Sequence, residues 1–443
     1  MTQSSALSPD HRPIAAPADA TPPASRVSTV LAGLTYATIA IIPFLYALQL
    51  ELQTGILVLL ILLQSGRIIA SKIDSSLSLV FGLAFLFLYS FPSLSLVMFY
   101  DVNPLPIVAM FVIFSDLFQY LNDRFSPPWT KDRRLRNANE SGGSYRILMW
   151  PIIWLLALSA FLGLVIRNEI LQFGSFIVPY FLATCLLEEA LKRNPPRSAV
   201  FTMIGLFFLA IIIYGYFYWS GGGRIVMAAY FLIPILVCVT YTDLGLKYWH
   251  IYTISPVIFF IAQVIRYGEI EDTGALFSGS ASHHLELSQE LLTNGAPSYG
   301  DSFTQFIEQF SLLFLNWVPR IWWEDKPIGV GTLSVDDWFG RTGYGEGFSI
   351  SLGMFGEHIY LLGGWFVLGV IASTVTLLAI RQGLLRMFPN QVTQLTVFDV
   401  NLISFFWGGG GTFGTRFWFA IVPALACIWI VQRLFSGGPG LRR

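Results

Sequence analysis

The stretch "ISLGMFGEHIYLLGGWFVLGVIASTVTLLAI", residues 350–380, decides the class of this protein. It is longer than the about 20 apolar residues a helix needs to cross a bilayer. Its excess length places one end outside the hydrocarbon. Inside it sit one acid and one histidine side by side, Glu357 and His358. An ionisable pair at membrane depth is costly to hold in lipid, so the pair is a functional candidate.

The rest of the chain has the same character. Its 443 residues are 54% hydrophobic and 12% charged, with positive mean hydropathy, whereas soluble domains carry about 25% charge. The net charge of −1 and the lack of a basic run interleaved with aromatics set nucleic acid aside as a partner. Cys185, Cys238 and Cys427 lie in apolar runs without paired spacing, which argues against a disulfide framework or a zinc site. Residues 1–26, rich in Pro, Ala and Ser, read as a disordered tail.

Apolar runs suggest about twelve membrane helices. They fall at 27–49, 53–71, 77–99, 104–121, 146–166, 170–191, 199–218, 224–242, 247–265, 350–380, 395–410 and 414–432. The expected organisation is therefore an all-α integral membrane protein. A tail, 1–26, precedes helices one to nine, 27–265. A large outer loop, 266–349, then leads to helices ten to twelve, 350–435, and a tail at 436–443. Lysines and arginines are retained in cytoplasmic loops. With both termini inside, nineteen of the twenty-six basic residues fall on the cytoplasmic side. The outer side keeps Arg167, Arg224, Arg266, Arg320, Lys326, Arg341 and Arg416. Within the outer loop, "FTQFIEQFSLLFLNW", 303–317, repeats its apolar residues at helical spacing and reads as an amphipathic helix at the interface.

Three inward-running helices follow glycine-rich turns: "SGGGR" 220–224, "GYGEGFS" 343–349 and "GGGGTFGTR" 408–416. Each would present unpaired N–H groups and a positive dipole end to the outer surface, a natural anion site. Arg224 and Arg416 stand at two of these starts, where a guanidinium can grip phosphate oxygens in pairs. The alternative is that the glycines only allow tight turns and the arginines snorkel to headgroups. Glu357 and His358 fall about two turns into the tenth span, roughly 10 Å along it. Glu357 is the expected general base, against the alternative of a structural hydrogen bond to a neighbouring helix.

Weaker signals remain. "SHHLE", 282–286, reads as a solvated loop whose His283 and His284 lack a third metal ligand, and Asp336 and Asp337 read as a charged turn. No metal and no cofactor is expected. The early outer loops carry only Glu51 and Asp101, which gives metal-dependent glycosyl transfer little support. A transporter is the runner-up class, but Asp116, Glu188, Glu189 and Asp399 fall near cytoplasmic span ends and the halves show no repeat.

Four segments together carry a family resemblance: "SGGGRIVMAAYFLIPIL", "LNWVPRIWWEDKPIGVG", "SISLGMFGEHIYLLGGWFVLGV" and "GGGGTFGTRFWFAIVPAL". Over about residues 200–435 the chain resembles the Wzy-type polymerases of O-antigen and exopolysaccharide repeat units. Arg320 and Gly331, with ten residues between them, also resemble the Arg-to-Gly spacing of that superfamily's polymerases and ligases. The resemblance implies a glycosyltransferase-C-type fold in a bacterial inner membrane. The implied activity transfers a glycan from one undecaprenyl pyrophosphate to a repeat unit on another, on the periplasmic face. It also implies a chain-length regulator as a possible partner. In that reading Arg224 and Arg416 stabilise the departing pyrophosphate and Glu357 takes the acceptor proton. Arg320, Lys326, Arg266 and Arg341 add phosphate contacts, while Trp322 and Trp323 stack on a sugar or anchor the interface, with His358 nearby. Pro319 and Pro327 would end the amphipathic helix and fold the chain back. An O-antigen ligase uses the same donor and stays open as an alternative.

Overall fold

The computed structural model describes residues 26–45, 50–71, 75–125, 144–165, 169–218, 224–242, 249–250, 253, 273–295, 302–339, 350–388 and 391–436. Among them every regular element is helical. In chain order these are α1 (Arg26–Leu45), α2 (Leu50–Ala70), α3 (Ser76–Ala84), α4 (Phe91–Tyr100), α5 (Leu105–Phe125), α6 (Arg146–Val165), α7 (Glu169–Leu191) and α8 (Arg197–Tyr218). There follow α9 (Arg224–Tyr241), α10 (Thr273–Asn294), α11 (Ser302–Leu315), α12 (Val330–Phe339), α13 (Gly353–Leu362), α14 (Phe366–Met387) and α15 (Thr393–Ser436). A π-helical turn, Phe85–Ser90, fuses α3 to α4. The tail 1–25 and the ninth predicted span apart from 249–250 and 253 lie outside the described residues.

Among the described residues, six helical segments are long and apolar enough to cross a membrane. Their outward faces are greasy. On α14, Val367, Leu368, Ile371 and Val375 are each about half exposed or more and recur on one helical face, as a surface facing lipid tails requires. The core is aromatic, with Phe81, Phe111, Phe114 and Phe406 in mutual ring contact where α3, α5 and α15 meet.

Three predicted spans take a different form. The tenth does not run unbroken over 350–380. It splits into the ten-residue α13, a 3-10 turn at Gly363–Trp365, and α14. Gly363 ends α13 with φ of 52°, which halts the helix. The last two spans, 395–410 and 414–432, form one segment, α15, interrupted at Gly409. That segment is the hub: it packs against α3, α7, α9, α11, α13 and α14.

The described residues of the stretch 266–349 carry three helices, α10, α11 and α12. "SHHLE" belongs to α10 and not to a solvated loop. His283 is exposed and faces Glu286 at 3.4 Å, while His284 is buried against Tyr89 and Trp407. Asp336 and Asp337 lie on α12 rather than in a turn. The amphipathic helix expected at 303–317 is α11 at 302–315. Its ending differs in cause. Three residues separate Leu315 from Pro319, and Pro319 instead opens the next turn, its carbonyl accepting from the N–H groups of Trp322 and Trp323.

Candidate functional site

The site begins with the glycine run 408–411. Gly409 has φ of 73° and ψ of −165°, a backbone state that side chains strongly disfavour. A break there releases N–H groups of the following turn from their intrahelical partners, and in an apolar surrounding these need another acceptor. Glu357 of α13 supplies it: Gly410 donates its N–H to Glu357 Oε2 at 2.7 Å. A Cβ on Gly409 would overlap that same oxygen. Glycine at 409 is thus required twice, by its dihedral and by the carboxylate lying against it.

This corrects the expectation of an open anion site at "GGGGTFGTR". The restarted helix already holds the protein's own carboxylate. Nor does Arg416 stand at its first turn. It lies six residues past Gly410, about 9 Å along the axis, half-buried, and donates to Ser404 Oγ at 3.2 Å on the other side of the break. Arg416 therefore braces the kink.

Glu357 and His358 were expected within a single long span. They lie instead on α13, where every residue from Gly353 to Leu361 is buried by protein. α10, α11, α14 and α15 surround this helix. His358 Nδ1 meets Met354 O at 2.5 Å and its Nε2 meets Ser373 Oγ of α14 at 2.9 Å. A carbonyl only accepts, so Nδ1 carries the hydrogen, and Nε2 of the neutral ring accepts from the Ser373 hydroxyl. Both ring nitrogens are engaged. His358 thus offers its ring to the site and not a hydrogen bond.

Although they are neighbours on α13, Glu357 and His358 border one crevice. Phe306, Gln309, Phe310 and Leu313 of α11, Ser373 of α14 and Gly410 of α15 also line it. α11 is held there by close approach. A Cβ on Gly414 would strike the carbonyl oxygen of Leu312. At the end of α11, Asn316 Nδ2 donates to Gly411 O at 2.8 Å and to the Thr415 hydroxyl.

The segment after α11 is clipped by its two cations. Arg320 Nη1 donates to Lys326 O at 2.8 Å, and Lys326 Nζ donates to Asn316 O at 2.6 Å and Val318 O at 3.0 Å. These acceptors are neutral carbonyls, so they leave both positive charges uncompensated. Partial burial and then the Arg320 charge hold the Lys326 ammonium below the ordinary lysine value. Ile321 and Trp322 are 81% and 75% exposed at the tip, while Trp323 is half-buried. The side chain of Arg224, at the first residue of α9, and the whole of Arg266 and Arg341 lie outside the described residues.

Gln309, Ser373 and Asn316 were not among the sequence candidates. Gln309 had a legible signal: with Phe306, Phe310 and Leu313 at helical spacing, it sits on the apolar face of an amphipathic helix. Ser373 had none, because only the fold brings it beside His358. Among the described residues, no three His, Cys, Asp or Glu side chains converge as a metal site would require. Compared with known proteins, the chain matches no family model, no curated protein and no solved structure.

Proposed function

We propose that this chain is a glycan polymerase of a bacterial inner membrane. It would join oligosaccharide repeat units carried on undecaprenyl pyrophosphate, with about twelve spans, both termini cytoplasmic and the site periplasmic. The observation that carries the reading is Glu357, a buried carboxylate bordering a crevice, with one oxygen oriented by the Gly410 N–H. A fixed carboxylate at the edge of a crevice suits a general base.

In the reaction, a hydroxyl of the acceptor glycan gives its proton to Glu357 and its oxygen attacks the anomeric carbon of the donor. The new glycosidic bond forms as the bond to the lipid pyrophosphate breaks, and the electron pair leaves on that pyrophosphate. Arg320 and Lys326 support this step with charge that their carbonyl partners do not neutralise. Arg224 and, across the kink, Arg416 complete the cationic set in this reading, with Arg266 and Arg341 as further phosphate contacts. Trp322, exposed at the tip, and Trp323 suit a sugar face or the membrane interface. Donor energy is carried by the pyrophosphate, so no nucleotide-sugar is required on the outer face.

The test is the glycan ladder of a deletion strain. Complementation with wild type should restore long chains, and Glu357→Gln at normal membrane abundance should leave single repeat units. A wild type that decorates lipid A core without elongating anything would instead be a ligase. A ladder unchanged by the deletion would sink both.

One observation favours a second reading. A helix interrupted at Gly409 with an acid beside the break is also how coupled carriers build substrate sites. Uptake into membrane vesicles that Glu357→Gln abolishes, together with an unchanged ladder, would establish transport.

A further inference from the structure

The crevice beside Glu357 has room for about one water molecule. A sugar ring is many times larger, so Glu357 meets no glycan hydroxyl while α11 lies where it does. Phe306 of α11 closes the crevice towards α14. A Cβ on Gly369 of α14 would come within 3.2 Å of the Phe306 ring and would strike the His358 ring as well. The absence of a side chain at 369 thus makes a seat for two rings, one from α11 and one from α13. His358 is fixed there by Met354 O and Ser373 Oγ.

α11 is not held equally along its length. From Gln309 onward it is tied by directed bonds and by backbone approach. Gln309 Nε2 donates to Ile328 O at 2.6 Å, Leu312 O abuts Gly414, and Asn316 Nδ2 donates to Gly411 O at 2.8 Å. Ahead of Gln309 the helix reaches α14 with the Phe306 ring, which is in line with Phe303 and Phe310 at centroid distances of 6.5 and 5.6 Å. Ring contact has no fixed direction, and lipid tails that replace it are as apolar as the protein. Parting α11 from α14 there gives up packing but little hydrophobic burial. Both helices of the seam carry exposed apolar side chains, Phe303 and Ile307 on α11 and Val367, Leu368 and Ile371 on α14, so the seam borders lipid.

We propose that Phe306 is a gate: the first turns of α11, 302–308, move off Gly369 and part the seam between α11 and α14, and a lipid-borne glycan reaches Glu357 from the bilayer side. This rests on the polymerase reading and gives its substrate a way in. The isoprenoid chain lies along the apolar flanks of the seam while the sugar it carries passes between them, so the lipid never leaves the membrane. Gln309 and the bonds after it are the fixed end of the moving segment. When Phe306 returns to Gly369, it shuts water out from Glu357 between turnovers.

The experiment uses full-length protein in native membranes, supplied with lipid-linked repeat units. Phe306→Cys with Leu362→Cys sets two thiols beside Gly369, because Leu362 Cδ1 lies 2.8 Å from the same Cβ position. A short bis-thiosulfonate reagent bridges them and ties α11 to α13, and dithiothreitol removes the bridge. The expected result is elongation slowed about ten-fold or more by the bridge and restored by reduction, as gating requires, with neither single variant slowed by the reagent. A bridged protein that elongates at the unbridged rate overturns the inference and leaves the polymerase reading standing. A reagent that slows a single variant as much as the pair overturns it too, since bulk and not closure is then the cause. If the pair is inactive before bridging, thiol labelling decides. Ser373→Cys, inside the crevice, should react with N-ethylmaleimide about ten-fold faster when combined with Phe306→Ala, and an equal rate overturns the gate. If wild type elongates nothing, the polymerase reading itself fails and takes the gate with it.

Discussion

Gly409 and Gly410 are adjacent in a run of four glycines, yet they answer to different constraints. A methyl at 409 would occupy the space of Glu357 Oε2 on a backbone with φ of 73°. A methyl at 410 would meet Glu357 Oε1 at 3.5 Å, an ordinary contact. Gly409→Ala should therefore lower stability by about 2–4 kcal/mol, from overpacking and left-handed strain together, and abolish elongation. Gly410→Ala should melt close to wild type in detergent; equal losses in the two variants would contradict this account. Glu357 separates its roles in the same way. Glu357→Gln keeps an oxygen for the Gly410 N–H and should keep the melting temperature while losing activity. Glu357→Ala leaves that N–H unpaired and should lose about 1–3 kcal/mol as well. An active Glu357→Gln would reduce Glu357 to a cap.

α15 shows the same device at both of its starts. At Thr393, Glu188 of α7 is wholly buried and accepts from Val392 N at 2.7 Å, Thr393 N at 2.9 Å and Tyr241 Oη at 2.7 Å. At Gly410, Glu357 of α13 does the equivalent. Carboxylates from other helices thus satisfy the N–H groups that the segment's own side chains leave open. Between these points Asp399 of α15 pairs with Arg381 of α14, at 2.7 Å to Nε and 3.0 Å to Nη2. Arg381 also donates to Asn122 of α5 at 2.6 Å. Removing one partner strands a buried charge. Asp399→Ala should therefore cost about 3–5 kcal/mol, whereas Arg381→Met with Asp399→Leu should recover most of it. Thermal melting of the three proteins decides, and a double variant no better than the single one would mean the pair itself specifies the packing. The helix-period reading found α11 within two residues at its C-terminus, because amphipathic spacing is a local property. It did not find the turn at 363–365 inside the tenth span, because an apolar run reads the same with or without such a break.

For the molecule as a whole, the charge asymmetry sets an expected topology. Reporter fusions after residues 26 and 436 should both report cytoplasm, and one in 296–301 should report the outer side. A C-terminal fusion reporting the opposite side from the N-terminal one would make the number of crossings odd. α11 would then be the first candidate for an extra span, since Phe303 and Ile307 are 65% and 52% exposed on its outer face. The bias of lysine and arginine carries this expectation because translocating a cation is costly wherever in the chain it lies.

Composition and periodicity alone established an all-helical chain with membrane-length segments, and located the amphipathic α11 and the ionisable pair at 357–358. Those properties are local sums over neighbouring residues, and solvent or lipid reads them without reference to the rest of the fold. They also marked 408–416 as unusual, since four consecutive glycines have no place in an undisturbed helix. What the glycines are for was decided only by packing. A break in a helix exposes N–H groups, and which carboxylate arrives to meet them depends on a contact across 53 residues of chain. The same holds for Phe306, which meets Gly369 only when α11 is laid over α13 and α14. Hydrogen bonding is short-ranged and directional, so the chemistry of this site belongs to the tertiary structure.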